Sequence, residues 1–250
     1  MRHSGKLAGT TAITFIADNL KLEGVLHLPE KTPAPFVVGC HGLFADKESP
    51  KQIALAEACR RRGLAFFRFD HRGRGQSAGD FAAETSLAAR CRDLDAAVAM
   101  LNRRKDLGPL RGFFGSSLGG TVVLSCAKRY APIRLVTAAA PLVSSPVIAA
   151  IRSAEDPLLE KLPDRFLEEA LQFDISGAVE GLSDILIVHG DADQVVPYEN
   201  AERLFAACRR PKRLVRQENG DHRISDPGHR EEFIDVAAAW LAETALPGPT

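Results

Sequence analysis

The stretch Gly115-Ser116-Ser117-Leu118-Gly119-Gly120 decides the reading of this chain. An apolar run at residues 110–114 leads into it, and Thr121-Val122-Val123-Leu124 leads out of it toward a helical segment ending near Tyr130. The pattern predicts a strand, a tight turn and a helix, with Ser117 at the centre of G-x-S-x-G. A serine lifted onto such a turn sits in strained backbone, so its neighbours must be small enough for strand and helix to meet. The helix N-terminus beside it offers free N–H groups and the positive end of the dipole, which favour negative charge on a reacting oxygen. A second reading needs no chemistry: Ser116 or Ser117 simply caps the helix.

Outward from this turn, short apolar runs at residues 36–40, 64–69, 133–139 and 185–188 read as buried strands, with 212–217 as the last strand. Helical periodicity covers 52–62, about 84–104, 121–130, 198–208 and 231–243. Residues 11–17 and 20–28 alternate, and Asp18-Asn19 between them is hairpin chemistry. From Pro35 onward strand and helix alternate, which predicts an α/β fold: a mostly parallel sheet, helices on both faces, right-handed crossovers. At 250 residues, one domain spanning 1–250 is expected.

Residues 142–183 break the alternation. They carry no strand signal, are punctuated by Pro146, Pro157 and Pro163, and hold the apolar Val147-Ile148-Ala149-Ala150-Ile151 and a helical pattern over 164–173. An ordinary crossover helix plus a small helical lid over the ligand-binding edge of the sheet is expected here. A long packed excursion without a gating role is the alternative.

Composition excludes several classes. Lys+Arg and Asp+Glu both total 32, so the chain has no surplus charge for a nucleic acid. Arg60-Arg61-Arg62, Arg103-Arg104-Lys105 and Arg209-Arg210 are each expected to close a helix as solvated cations. Five scattered cysteines without a C-x-x-C pair predict a reduced, intracellular protein. The first ten residues lack a signal-peptide core and no run reaches membrane-spanning length, so a cytoplasmic location without membrane insertion is expected. Residues 246–250 read as a frayed tail. With no H-E-x-x-H and no zinc-like spacing, no metal is expected. Gly73 and Gly75 lack the third glycine of a dinucleotide fingerprint, so no cofactor is expected either.

Two more strand ends carry chemistry. The run at 185–188 opens into His189-Gly190-Asp191-Ala192-Asp193-Gln194-Val195-Val196-Pro197, and the last strand into Asn219-Gly220-Asp221-His222. Both lie on the same sheet edge as Ser117. A serine hydroxyl is a weak nucleophile at neutral pH and needs a histidine to take its proton. That histidine needs a carboxylate to hold its tautomer and stabilise the imidazolium. Serine, acid, histidine is also the chain order of nucleophile-elbow hydrolases.

With His41-Gly42-Leu43-Phe44 and Asp70-His71-Arg72-Gly73-Arg74-Gly75-Gln76-Ser77 added, the chain resembles the α/β-hydrolase superfamily over roughly residues 15–240. More narrowly it resembles the small intracellular serine esterases, including the cinnamoyl/feruloyl-esterase-like and lysophospholipase-like branches. The resemblance implies Ser117 as nucleophile, Asp193 as acid and His222 as base. It implies an oxyanion hole from the backbone N–H groups of Leu43 and Leu118, with Phe44 as alternative to Leu43. Phe44 and Val195 are expected to contact substrate. The implied activity is a carboxylesterase acting on short-chain or aryl esters through an acyl-enzyme, its partner a small-molecule ester. Thioesterase, peptidase and C–C hydrolase chemistry use the same triad, and a non-catalytic binding protein is a reading from another class. So is a scaffold, which would require an exposed apolar patch on residues 147–151.

Each assignment has rivals. Asp191 shares the turn with Asp193 and is expected to brace it. Asp221 directly precedes His222 and is poorly placed to reach round to its imidazole. His229, near the start of the last helix, is a rival base with an exposed, inert role as its alternative. His41 is expected to buttress the oxyanion loop. His71 either lines the site mouth or is structural, and Arg72 and Arg74 either bind a substrate carboxylate or hold their own loop. Ser116 reads as a packing residue and Cys40 as buried.

Overall fold

The computed structural model describes residues 9–154 and 162–243. Residues 1–8, Pro157 and the 246–250 tail lie outside the described residues. The strands are β1 (Thr10–Ala17), β2 (Leu20–His27), β3 (Ala34–Cys40), β4 (Ala65–Phe69), β5 (Leu107–Ser116), β6 (Arg134–Ala138), β7 (Ile185–Gly190) and β8 (Lys212–Gln217). The helices are α1 (Pro50–Arg61), α2 (Phe81–Glu84), α3 (Leu87–Leu101), α4 (Leu118–Tyr130), α5 (Ser145–Ser153), α6 (Ser176–Val179), α7 (Glu199–Ala207) and α8 (Pro227–Ala242). One sheet takes the order β1-β2-β4-β3-β5-β6-β7-β8, with β2 antiparallel to both neighbours and the remaining pairs parallel.

The hairpin closes where Asp18 and Asn19 adopt φ of 48° and 65°, the left-handed conformation these two residue types tolerate best. Every residue of β4, β6 and β7 is buried, which is why these strands read as apolar runs rather than alternations. On one face α1 and α8 bring Leu55, Phe233 and Leu241 against Val37, Phe66 and Phe114. On the other, α3, α4 and α7 bring Leu94, Val122 and Leu204 against Phe36, Phe67 and Phe113. Each fully buried phenylalanine contributes on the order of 2–3 kcal/mol. Packing on both faces holds the parallel strands in register, so their C-terminal ends share one edge.

Several expected boundaries shift, each for a local reason. The single helix expected over 84–104 is two helices. Asp80 accepts the Ala83 N–H at 2.7 Å to start α2, and Ser86 accepts the Ala89 N–H at 3.1 Å to start α3. The last helix begins at Pro227 rather than 231, because Asp226 accepts the His229 N–H at 2.9 Å and proline suits the first helical position. Arg103-Arg104 and Arg209-Arg210 lie beyond the ends of α3 and α7, and Arg104 pairs with Asp106 instead. Only the Arg60 cluster sits in a last helical turn.

Between β6 and β7 the expected crossover helix is the single turn α6, and the pattern at 164–173 becomes a π-helical turn at Phe166–Ala170. There the Leu171 N–H reaches back to the Phe166 carbonyl at 2.9 Å. α5 and this π turn pack Val147, Ile148, Ile151, Phe166 and Leu167 onto Leu43 and Leu118. Val147, Ile148 and Ile151 are therefore buried, which removes the exposed patch that a scaffold reading requires. Among the described residues no helix is long and apolar enough to cross a membrane.

Candidate active site

β5 ends at Ser116 and α4 begins at Leu118, so Ser117 alone makes the turn between them. Its φ of 52° and ψ of −126° lie outside the comfortable regions for a residue with a side chain, at a cost on the order of 1–3 kcal/mol. Two backbone bonds hold it: its N–H donates to Ala138 at 2.8 Å, and Gly120 donates to its carbonyl at 2.7 Å. The flanking glycines answer a steric demand. A Cβ on Gly115 would come within 2.3 Å of the Gly119 carbonyl oxygen, and one on Gly119 within 2.2 Å of the Cys40 oxygen. Although Ser117 stands at the N-cap position, its hydroxyl makes no capping bond. The capping alternative is thereby excluded for Ser117; Ser116, the last residue of β5, is buried.

The Ser117 hydroxyl instead lies 3.1 Å from His222 Nε2, and His222 Nδ1 lies 2.7 Å from Asp193 Oδ2. Three strand ends, those of β5, β7 and β8, bring these residues together across 105 positions of sequence. The partners assign the tautomer. With Nδ1–H donating to the carboxylate, Nε2 carries a lone pair able to accept a proton from the serine hydroxyl. Asp193 Oδ1 takes the N–H groups of Val195 and Val196, each at 2.8 Å. Burial raises the Asp193 pKa, but hydrogen bonds from His189 and His222 outweigh it and hold the carboxyl well below the usual range. His189 Nε2 lies 2.9 Å from the Val196 carbonyl oxygen and 3.3 Å from Asp193 Oδ2, fixing the acid from behind.

The rivals fall elsewhere. Asp191 accepts the Asn219 N–H at 2.6 Å and pairs with Arg216 at 2.7 Å, tying the two loops together as the sequence suggests. Asp221 accepts the Ser225 N–H at 2.8 Å. His229 sits in the first turn of α8, away from the cavity.

The loop after β3 is held by charge buried beneath it. Arg90, fully buried on α3, donates to the carbonyls of His41, Gly42 and Leu43 at 3.4, 3.2 and 2.9 Å. His41 Nδ1 donates to the Gly42 carbonyl at 2.7 Å, and its Nε2 accepts the His71 N–H at 3.0 Å. Burial, with Arg90 nearby, drives the His41 pKa far down, so it stays neutral. In a trans peptide the next N–H points opposite to the carbonyl, so these three contacts turn the N–H groups of Gly42, Leu43 and Phe44 away from Arg90. Gly42 backs onto Ser117: a Cβ there would lie 3.3 Å from Ser117 Cβ. Among the described residues no protein acceptor takes the N–H of Leu43 or Leu118.

His71 is fully buried, with Nδ1 3.2 Å from Asp93 Oδ2, so it does not line the site mouth. Arg72 grips Asp93 Oδ1 from Nε and Nη2 at 2.9 and 2.7 Å, and Arg74 donates to the carbonyls of Phe44 and Ala45. Both arginines hold loops; neither faces a substrate. Cys40 is buried, and burial pushes its thiol pKa far up.

These groups surround a cavity of about 640 Å³, within the usual range for small-molecule sites. Leu43, Phe44 and Val195 line it, with Phe44 partly exposed. α5 contributes an apolar wall through Val147, Ala150 and Ile151, while α1, the loop after β8 and α8 contribute Lys51, Arg223 and Arg230. Among the described residues no group of three or more histidine, cysteine or acidic side chains is placed to hold a metal ion.

Sequence reasoning missed Arg90, Asp93, His189 and Lys51. A signal for the first two exists. Arg90, Asp93, Leu94, Ala97, Val98 and Leu101 share one helical face, so two charges interrupt an apolar stripe. Buried charges on such a stripe must be paired, and a partner elsewhere could have been sought.

A family model described as serine aminopeptidase, S33, matches residues 31–177, more than half of the chain. The chain belongs to this α/β-hydrolase family. The hydrolase is 29% identical over 244 residues to an uncharacterized protein of Mycobacterium tuberculosis, covering 96% of this chain and 82% of the relative. It is 24% identical over 218 residues to a mitochondrial palmitoyl-protein thioesterase of Mus musculus, covering 78% and 71%. Its fold matches the esterase domain of a Rhodothermus marinus protein with a TM-score of 0.71 at 25% identity, over 93% of this chain and 98% of that one. The ferulic acid complex of Est1E from Butyrivibrio proteoclasticus matches at 0.74 and 22% identity, over 92% and 100%, a likeness of fold.

Proposed function

We propose that this hydrolase cleaves short-chain or aryl carboxylic esters through an acyl-enzyme on Ser117. The observation that carries the reading is the continuous relay from Ser117 Oγ through His222 to Asp193, at 3.1 and 2.7 Å, opening into the cavity. His222 Nε2 accepts the hydroxyl proton as Ser117 Oγ bonds to the ester carbonyl carbon. The N–H groups of Leu43 and Leu118 take the developing oxyanion, where one such donor is worth roughly 3 kcal/mol of barrier. The tetrahedral intermediate then collapses, and the alcohol leaves with the proton from His222. A water, deprotonated by His222, attacks the acyl-enzyme; release of the acid restores Ser117 and its proton.

The esterase and thioesterase names among the similar proteins support acyl transfer. An aminopeptidase role fits this cavity poorly, because the α-ammonium of its substrate would meet Lys51, Arg223 and Arg230, and among the described residues no carboxylate lines the wall.

The test is intact mass after fluorophosphonate treatment with peptide mapping, alongside p-nitrophenyl esters from acetate to laurate, acyl thioesters and aminoacyl anilides. A single adduct on Ser117 with turnover of the short esters is expected. Labelling with turnover of thioesters or anilides alone would replace the ester assignment. No adduct and no turnover would leave a binding protein.

A further inference from the structure

In a chain with 32 basic and 32 acidic residues, the charged groups lining the catalytic cavity among the described residues are all of one sign: Lys51, Arg223 and Arg230. None of the three has a carboxylate partner within ion-pair distance among the described residues. Each could have found one on a surface so rich in acids. The two carboxylates whose charge acts on Lys51 are committed elsewhere: Asp193 to His222, Asp221 to the amide of Ser225.

The cations also gather at one place relative to the chemistry. Arg223 follows His222 directly, and Lys51 Nζ lies 3.4 Å from the Arg223 carbonyl oxygen. Arg230 stands in the first turns of α8, just beyond that loop. α5 supplies the apolar wall, packed on Leu43 and Leu118. His222 must hand its proton to the departing alkoxide, so groups beside His222 face the alcohol portion of the ester. Groups packed on Leu43 and Leu118 face the carbonyl and acyl portion.

From this arrangement we infer that the site selects esters whose alcohol portion carries an anionic group, a carboxylate foremost, held by Lys51 with Arg223 and Arg230. The inference rests on the esterase reading and deepens it. Lys51 keeps part of its side chain in contact with the cavity, yet burial around the ammonium lowers its pKa to about 8, with Asp221 and Asp193 opposing and Arg223 reinforcing that shift. A cation in such surroundings gains from an anionic ligand that replaces the lost water. The three cations also draw anionic substrate into the cleft from solution.

The experiment compares three esters: 3-carboxyphenyl butyrate, its neutral isostere 3-carbamoylphenyl butyrate, and phenyl hydrogen glutarate, which places the carboxylate on the acyl side. The carboxyphenyl ester is expected to show about tenfold higher kcat/KM than the carbamoyl ester, expressed mainly in KM and weakened by salt. In Lys51→Gln that ratio should fall toward one, and Lys51→Arg should retain it. A ratio near one in the native enzyme, or a ratio unmoved in Lys51→Gln, overturns the inference while the esterase reading stands. Preference for the glutarate ester overturns the assignment of the cations to the alcohol side. If none of the three esters turns over, the esterase reading and this inference fail together.

Discussion

The pairs His222–Asp193 and His71–Asp93 combine the same two residue types and differ in what surrounds them. His222 Nδ1 meets Asp193 at 2.7 Å, and its second nitrogen faces Ser117 at 3.1 Å beside open cavity. His71 Nδ1 meets Asp93 at 3.2 Å, but its second nitrogen is buried without a partner. The carboxylates differ as well. Asp93 is neutralised by Arg72, which grips Oδ1 with two nitrogens; burial raises its pKa, but His71 and Arg72 outweigh it and leave it lowered. Asp193 has no such arginine; its charge is held by backbone N–H groups and the two histidines His189 and His222. The charge of Asp193 is therefore free to stabilise an imidazolium, whereas that of Asp93 is already spent on Arg72. The same pair of residue types offers a free lone pair to a hydroxyl or serves as a brace according to what the far nitrogen faces and what else binds the acid.

The comparison is broken most severely at the nucleophile. Ser117→Ala and His222→Ala should each lower ester turnover by about 10⁴-fold or more, with circular dichroism and denaturant midpoint near those of the native protein. Native-like turnover in either variant would remove the proposed relay.

The two aspartates should then give crossed results. Asp193→Asn is expected to reduce kcat by about 10³–10⁴-fold with little change in stability, since asparagine holds the wrong imidazole tautomer. Asp93→Asn should cost about 3 kcal/mol of unfolding free energy by removing the buried carboxylate partner of Arg72 and leaving it only the half-exposed Asp18, with kcat of the folded protein within about tenfold of native. Urea titration and kinetics on the same samples decide. Equal loss of activity in both would make His71–Asp93 part of the catalytic apparatus.

A third test uses pH. Burial lowers the His71 pKa from 6.5 to about 4, against the opposing hydrogen bond to Asp93 and alongside Arg90 and Arg72. The unfolded chain takes up this proton near pH 6.5 and the folded chain only near 4, so stability is complete above 6.5 and declines as pH falls toward 4. His27 and His41, also lowered by burial, act in the same direction. His71→Asn should reduce the slope of stability against pH over this window by about 1.4 kcal/mol per pH unit. An unchanged slope would mean that His71 is not held neutral. The smallest effect belongs to Asp191→Asn, expected to leave turnover within about twofold, because its partners, Arg216 on β8 and Asn219 in the loop after it, are exposed. A loss rivalling that of Asp193→Asn would exchange the roles of the two acids.

The sequence by itself determined the fold class, the parallel core strands and the strained serine turn. Those features depend on local causes: apolar runs long enough for buried strands, Asp-Asn at a hairpin, and glycines where no Cβ fits. It also brought Ser117, Asp193 and His222 into one hypothesis through their positions after strands. Boundaries at α2, α3 and α8 escaped it, because a single capping side chain moves a helix start by several residues without altering the apolar pattern. Only the tertiary structure decided which histidine faces the nucleophile and that His71 is walled in. It alone showed that Arg90 turns three carbonyls of one loop toward itself, and that three cations from distant segments line one cavity. These are properties of groups separated by tens of residues, set by how helices pack on the sheet, and no local pattern encodes what a side chain meets across that distance.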